Sequence, residues 1–205
     1  MEIGTSAGLN LRWDRYRYEW SNGGWGDIAS AVRLDNVFVG TAPSIPARID
    51  IVERAGCDPS PVDINKDSGR LTLLSYTWSD QVDRIQRLEA AIRIARAVPC
   101  VTDRAYGAEW LDERLEKSFP GAATAIFHSV VWPYISERER ERIVTVIQNA
   151  GSRVSENAPI AWLRMEPNDD NAIEIRLRIY PGFEEQVIAT SRAHAPAVRW
   201  LRKYG

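Results

Sequence analysis

The 205-residue sequence has little of what metal and redox sites are made from: two cysteines, two histidines and two methionines. Cys57 and Cys100 form no C-x-x-C pair, and His128 and His194 are far from both in the chain. A structural zinc site needs four such ligands to converge. No metal is therefore expected, and the cysteines read as small apolar core filler. The chain also lacks a charge excess, with 26 Lys and Arg against 28 Asp and Glu and a formal net charge of −2. Proteins that grip phosphate backbones carry a clear basic surplus, so no nucleic-acid partner is expected. No apolar run reaches the roughly 18 residues of a membrane span, and no basic start with an apolar core marks a signal peptide. No membrane association and a cytoplasmic location follow as expectations. The length suits one domain, 1–205, with a sizeable core.

What is present is concentrated at the start. Glu2, Gly4, Ser6 and Gly8 form an acidic-x-Gly-x-small-x-Gly loop that runs into a hydrophobic stretch. Such a loop lets backbone approach a ligand closely, because glycine has no Cβ and readily takes φ > 0. In a sheet fold it should follow a buried strand of about five residues. Only Met1, Glu2 and Ile3 precede it, so the first strand reads as truncated.

The rest alternates between strand and helix signals. Residues 6–20 begin as helix and pass to a period near two around Asp14. A polar stretch over 21–47, with a hairpin around Val32–Val39, reads as an inserted lid. Arg48–Gly56 reads as a strand that leaves Asp58 at its carboxyl end, and Leu71–Tyr76 as a short apolar run. Ser79 is the expected N-cap of a helix over Asp80–Ala97. A short strand then ends at Asp103, and Glu109–Phe119 is helical. Ala122–Phe127 is a buried strand that delivers His128 and Ser129. Ser136 with Glu139 forms a capping box for a helix to Ala150. Ile160–Met165 is a strand ending at Glu166, and Ile173–Tyr180 and Gln186–Ser191 alternate as an antiparallel pair. The predicted fold is α/β: a doubly wound, mostly parallel sheet with a C-terminal antiparallel hairpin. Ligands of such sheets sit outside the carboxyl ends of the strands, where Asp58, Asp103, His128 and Glu166 should meet Gly4–Gly8.

These residues resemble the S-adenosylmethionine-dependent methyltransferase fold, with Glu2-Ile3-Gly4-Thr5-Ser6-Ala7-Gly8 similar to its first motif. The resemblance implies that Glu2, Gly4, Ser6 and Gly8 pass under the amino-acid part of the cofactor, that Asp58 holds the ribose and that Asp103 lies near the adenine. The chain also resembles, over essentially its whole length, a bacterial family known only as a domain of unknown function. The residues that carry this are Ser6-Ala7-Gly8-Leu9-Asn10-Leu11, Asp14-Arg15-Tyr16-x-Tyr18, Gly56-x-Asp58-x-x-Pro61-x-Asp63 and Trp78-x-Asp80-x-x-x-Arg84-x-x-Arg87-Leu88. Members of that family typically have a further N-terminal region, in keeping with the short first strand.

Three functional readings follow. The first is an S-adenosylmethionine-dependent methyltransferase-like domain acting on a small molecule, with His128 or Glu166 as base and Arg15, Tyr16, Trp78, Arg84 and Arg87 as substrate contacts. The second is a non-catalytic domain of the same Rossmann-like fold that binds a partner, a second copy of the chain included. The third is a serine hydrolase, because Gly4-Thr5-Ser6-Ala7-Gly8 also matches G-x-S-x-G. Ser6 would be its nucleophile, His194 its base and Glu166 the orienting acid.

Overall fold

The computed structural model describes residues 1–45, 48–191 and 197–201. It is a mixed α/β structure whose main sheet has eight strands. Five run parallel and form one side, with β6 at the edge: β1 (Glu2–Ile3), β5 (Ala55–Asp58), β6 (Val101–Arg104), β7 (Thr124–Ser129) and β8 (Ile160–Pro167). Their order across the sheet is β6-β5-β1-β7-β8. An antiparallel group continues from β8 through β9 (Ile173–Tyr180), β10 (Phe183–Ser191) and β11 (Val198–Trp200). Each strand of this group lies beside its predecessor in the chain, so the predicted terminal pair is part of a longer meander.

The first strand is two residues long but central. Glu2 pairs with Gly56 on one side and with Phe127 on the other. Its neighbour β5 departs from the sequence reading. The strand expected over Arg48–Gly56 is confined to Ala55–Asp58, all four residues of which pair with β6. Ile49 and Val52 are left exposed instead.

Helices α1 (Asp67–Ser75) and α2 (Val82–Ala97) link β5 to β6, α3 (Gly107–Arg114) links β6 to β7, and α4 (Glu137–Gly151) links β7 to β8. The run Leu71–Tyr76 therefore belongs to a helix. Α-helix α2 starts at Val82, with Ser79 and Asp80 in the turn that precedes it, so Ser79 is not its N-cap. Ser136 does cap α4, accepting from the Glu139 amide, but the Glu139 carboxylate turns to the Ala108 amide and to Arg142. It thereby ties α4 to the start of α3.

Two cores result. Ile143, Ile147 and Ala150 repeat along one face of α4 and pack with Leu111 of α3 and with Ile3, Ile126 and Trp162 of the sheet. Ile126, Ile143 and Ile147 have no exposed surface, and full burial of such a side chain contributes roughly 1.5–3 kcal/mol. Leu73, Ile92 and Ala95 of α1 and α2 pack with Ala7 and Ile64 in a second cluster. The chain crosses away from β1 in both directions, and α3 and α4 share one cluster while α1 and α2 share another.

The expected hairpin at Val32–Val39 is replaced by one between β2 (Arg17–Trp20) and β3 (Gly23–Trp25), with β4 (Arg33–Leu34) added parallel to β2. Trp25 stacks on Trp13 of the preceding 3₁₀ segment at 5.3 Å, which pins this small sheet to the body. Among the described residues, no helix is long and apolar enough to cross a membrane.

Candidate ligand site at the glycine loop

The strand order reverses at β1 and β7, and the crevice between their carboxyl ends is where sheets of this kind place ligands. The chain leaving β1 enters left-handed backbone at Gly4 (φ +69°), Ser6 (φ +50°) and Gly8 (φ +67°). The chain leaving β7 does the same at Val130 (φ +51°). For a β-branched residue this conformation is strained. Gly4 also faces Val131, whose Cγ2 would lie 2.4 Å from a Cβ at that position. The two strand ends are packed against each other through this contact.

The loop directs its amides inward. Gly4 and Thr5 N–H donate to Cys57 O at 2.9 and 3.0 Å, and Gly8 N–H donates to Thr5 O at 2.7 Å. Ser6 N–H donates to Asp58 Oδ2 at 2.9 Å, while Asp58 Oδ1 accepts from Ser60 N–H at 2.7 Å. Asp58 thus clamps its own turn to the glycine loop. An ionised carboxylate has about four acceptor sites, so each oxygen retains a lone pair.

Under the loop, Glu2 is 2% exposed. Its carboxylate accepts from Thr5 Oγ1 at 2.6 Å and from Asn10 Nδ2 at 2.9 Å. Burial raises its pKa to about 7, with the two hydrogen bonds acting in the opposite direction. The acid of the loop pattern is therefore an internal brace, closed off from the crevice.

His128 and Glu166, placed independently at the ends of β7 and β8, meet. His128 Nδ1 lies 2.6 Å from Glu166 Oε1, and Glu166 also accepts from Val131 N–H at 3.1 Å and Trp132 N–H at 3.2 Å. The carboxylate holds the turn that contains strained Val130. His128 is 1% exposed, and its Nε2 is buried with no partner among the described residues. Trp132 stacks flat on its ring at 4.7 Å and 13°.

The other predicted site residues go elsewhere. Asp103 Oδ2 accepts from Trp110 Nε1 at 2.7 Å and Arg114 Nη2 at 2.9 Å, which turns it toward α3. Arg15 pairs with Asp14, and Tyr16 is buried with its hydroxyl donating to Leu9 O. Trp78 is exposed in the turn before α2, Arg84 bonds Gln81, and Arg87 lies on α2. None of these contacts is to a residue of the Gly4–Gly8 loop. His194 lies outside the described residues. Val130 carries no sequence signal for its role, since its conformation runs against its residue type.

Residues 1–200 match a family described as an uncharacterized protein conserved in bacteria (DUF2332). The chain belongs to this family. Searches of curated proteins and of solved structures found no match to this DUF2332 chain.

Proposed function

We propose that this DUF2332 chain binds S-adenosylmethionine at the ends of β1 and β5 and transfers its methyl group to a small-molecule acceptor. The observation that carries the reading is the left-handed backbone at Gly4, Ser6, Gly8 and Val130, gathered at the point where the strand order reverses. Strained backbone persists where surrounding structure over-determines it, and it clusters at ligand sites.

The donor set narrows the ligand class. Phosphate cradles present converging backbone N–H groups, whereas Gly4, Thr5, Ser6 and Gly8 turn theirs to Cys57, Asp58 and Thr5. The loop offers close approach without an anion cradle, which favours a nucleoside lacking phosphate over a dinucleotide. Asp58, anchored by two amides with lone pairs to spare, fits two ribose hydroxyls. When bound, the cofactor would supply an electrophilic methyl on a positively charged sulfur. Methyl transfer then asks the protein mainly for alignment. For an acceptor that loses a proton, the His128–Glu166 pair is the candidate base, and with Nε2 buried, the Trp132 turn must open to admit it.

The non-catalytic reading draws on the same contacts. His128, Glu166 and the loop amides are engaged in holding the fold, as they would be in a domain that keeps the shape alone.

Calorimetric titration of S-adenosylhomocysteine into the chain separates the two. Binding with a Kd near ~10 μM, weakened about tenfold or more in Asp58→Ala, is the expected result; tenfold corresponds to about 1.4 kcal/mol. No heat of binding, or an affinity indifferent to Asp58, overturns the cofactor reading and leaves the non-catalytic one.

A further inference from the structure

Arg12 is 4% exposed, and among the described residues no carboxylate bonds it. Its Nε donates to Val98 O at 3.0 Å, Nη1 to Gly8 O at 2.6 Å and Nη2 to Ala95 O at 3.1 Å. Three carbonyls therefore take three of the five guanidinium N–H donors. They do not neutralise the charge, and an unpaired buried cation is costly. Glu2 is nearby, but its oxygens serve Thr5 and Asn10, and burial leaves it only partly ionised near neutrality. The backbone at Arg12 (φ −105°, ψ +19°) interrupts the 3₁₀ segment Asn10–Arg15. It lies close to the sparsely populated bridge region, where many active-site residues are found.

Arg12 also lines a cavity of about 420 Å³. Its other walls are Ala7 of the glycine loop, the 61–65 segment, Ala95 and Arg96 at the end of α2, and Cys100 and Thr102 around the start of β6. That volume falls in the range of small-molecule sites. We propose that this cavity binds a small organic anion, a carboxylate- or phosphate-bearing molecule, with Arg12 as its anchor.

One N–H on Nη1 and one on Nη2 are not used by the three carbonyls, and a guanidinium pair of this kind can take two oxygens of a carboxylate or phosphate. Arg96 adds a second positive charge at the exposed rim, with its Nε fixed on Ile64 O at 2.8 Å. Thr102 and Asn65 add neutral donors. Asp63 also lines the cavity, but its carboxylate is engaged by the Asn65 amide at 3.0 Å and by Lys66 at 3.5 Å. Occupancy would tie the Gly8 end of the glycine loop to α2 through Arg12. The cavity shares Ala7 with the glycine loop but contains neither Asp58 nor the His128–Glu166 pair, so anion binding here does not require methyl transfer.

Cys100 gives the readout. It is partly exposed and lines the cavity, whereas Cys57 is buried with its thiol pushed up to about 12. Alkylation by neutral iodoacetamide, followed by peptide mass spectrometry, therefore reports on Cys100. At constant ionic strength, inorganic phosphate or succinate at ~10 mM should slow Cys100 alkylation about tenfold, as expected for a Kd near ~1 mM. Chloride should not. Arg12→Gln should abolish the protection. Arg96→Glu alters an exposed side chain and leaves the core untouched, and it should weaken anion affinity about tenfold even if Arg12→Gln fails to fold. Protection by phosphate alone or succinate alone supports the site and names its anion. Equal labelling in phosphate, succinate and chloride, or protection unchanged in Arg96→Glu, overturns it.

Discussion

His128 Nδ1 and Glu166 Oε1 lie 2.6 Å apart at the ends of neighbouring parallel strands. A carboxylate has no proton to give, so the imidazole donates from Nδ1. The same carboxylate accepts two amides of the turn after β7, Val131 and Trp132. One side chain thus fixes a ring, a strand end and the strained turn at Val130. Trp132 stacks on the ring it helps to bury, so the group closes on itself.

The first prediction follows from that sharing. Glu166→Ala leaves a buried imidazole and two amides without their acceptor, and each unsatisfied buried group costs roughly 1–3 kcal/mol. A loss of about 3 kcal/mol or more in urea-monitored unfolding is expected. His128→Phe keeps the flat ring against Trp132 and leaves Glu166 its two amides, so it should cost clearly less. Equal losses in the two variants would show that the carboxylate serves the histidine alone.

Glu2 makes stability depend on pH in an unusual direction. Its folded pKa of about 7 lies above the ordinary value of 4.5, so between these values the folded chain binds more protons than the unfolded one. Stability from this group is fully present below about pH 4.5 and is lost as pH rises through about 7. A shift of this size corresponds to about 3 kcal/mol. Glu2→Gln keeps the shape and removes the titration. Its unfolding free energy should gain on that of the wild type between about pH 5 and 8 and should exceed it at about pH 8. The Met1 amine, lowered by burial to about 6, titrates in the same window with the opposite sign, so the test is the difference between the two proteins: a gap between Glu2→Gln and wild type that does not change from about pH 5 to 8 would contradict the buried, partly protonated carboxyl.

Where the sequence was legible, the physics was local. Ile173–Tyr180 was readable to the residue because a half-buried antiparallel strand must alternate. Ser136 announced α4 because an N-cap acts on the amide three residues on. His128 and Glu166 could be placed at strand ends separately, and β7 and β8 being neighbours brought them together. The rest depended on distant chain. Arg48–Gly56 reads as a strand in the sequence, yet only Ala55–Asp58 finds a partner in β6. Asp103 was expected at the adenine, but Trp110 and Arg114 of α3 claim its Oδ2. Arg12 carries no sequence sign of burial, and carbonyls at Ala95 and Val98, over eighty residues away, hold it inside.

The last prediction concerns Val130, exposed and held at φ +51°. Glycine takes this conformation without a steric penalty, and strain of this kind costs on the order of 1–3 kcal/mol. Against that, glycine loses more backbone entropy on folding, roughly 0.5–1 kcal/mol. Val130→Gly should therefore stabilise the fold by about 1 kcal/mol, seen as a rise in thermal midpoint. In Val130→Ile the strain remains, and the larger side chain at an exposed position should leave stability near wild type. If the strain serves ligand binding, Val130→Gly should also weaken S-adenosylhomocysteine, because a relaxed turn no longer holds Val131 against Gly4. A variant that is more stable and binds equally well would mean the strained turn serves packing between β1 and β7 alone.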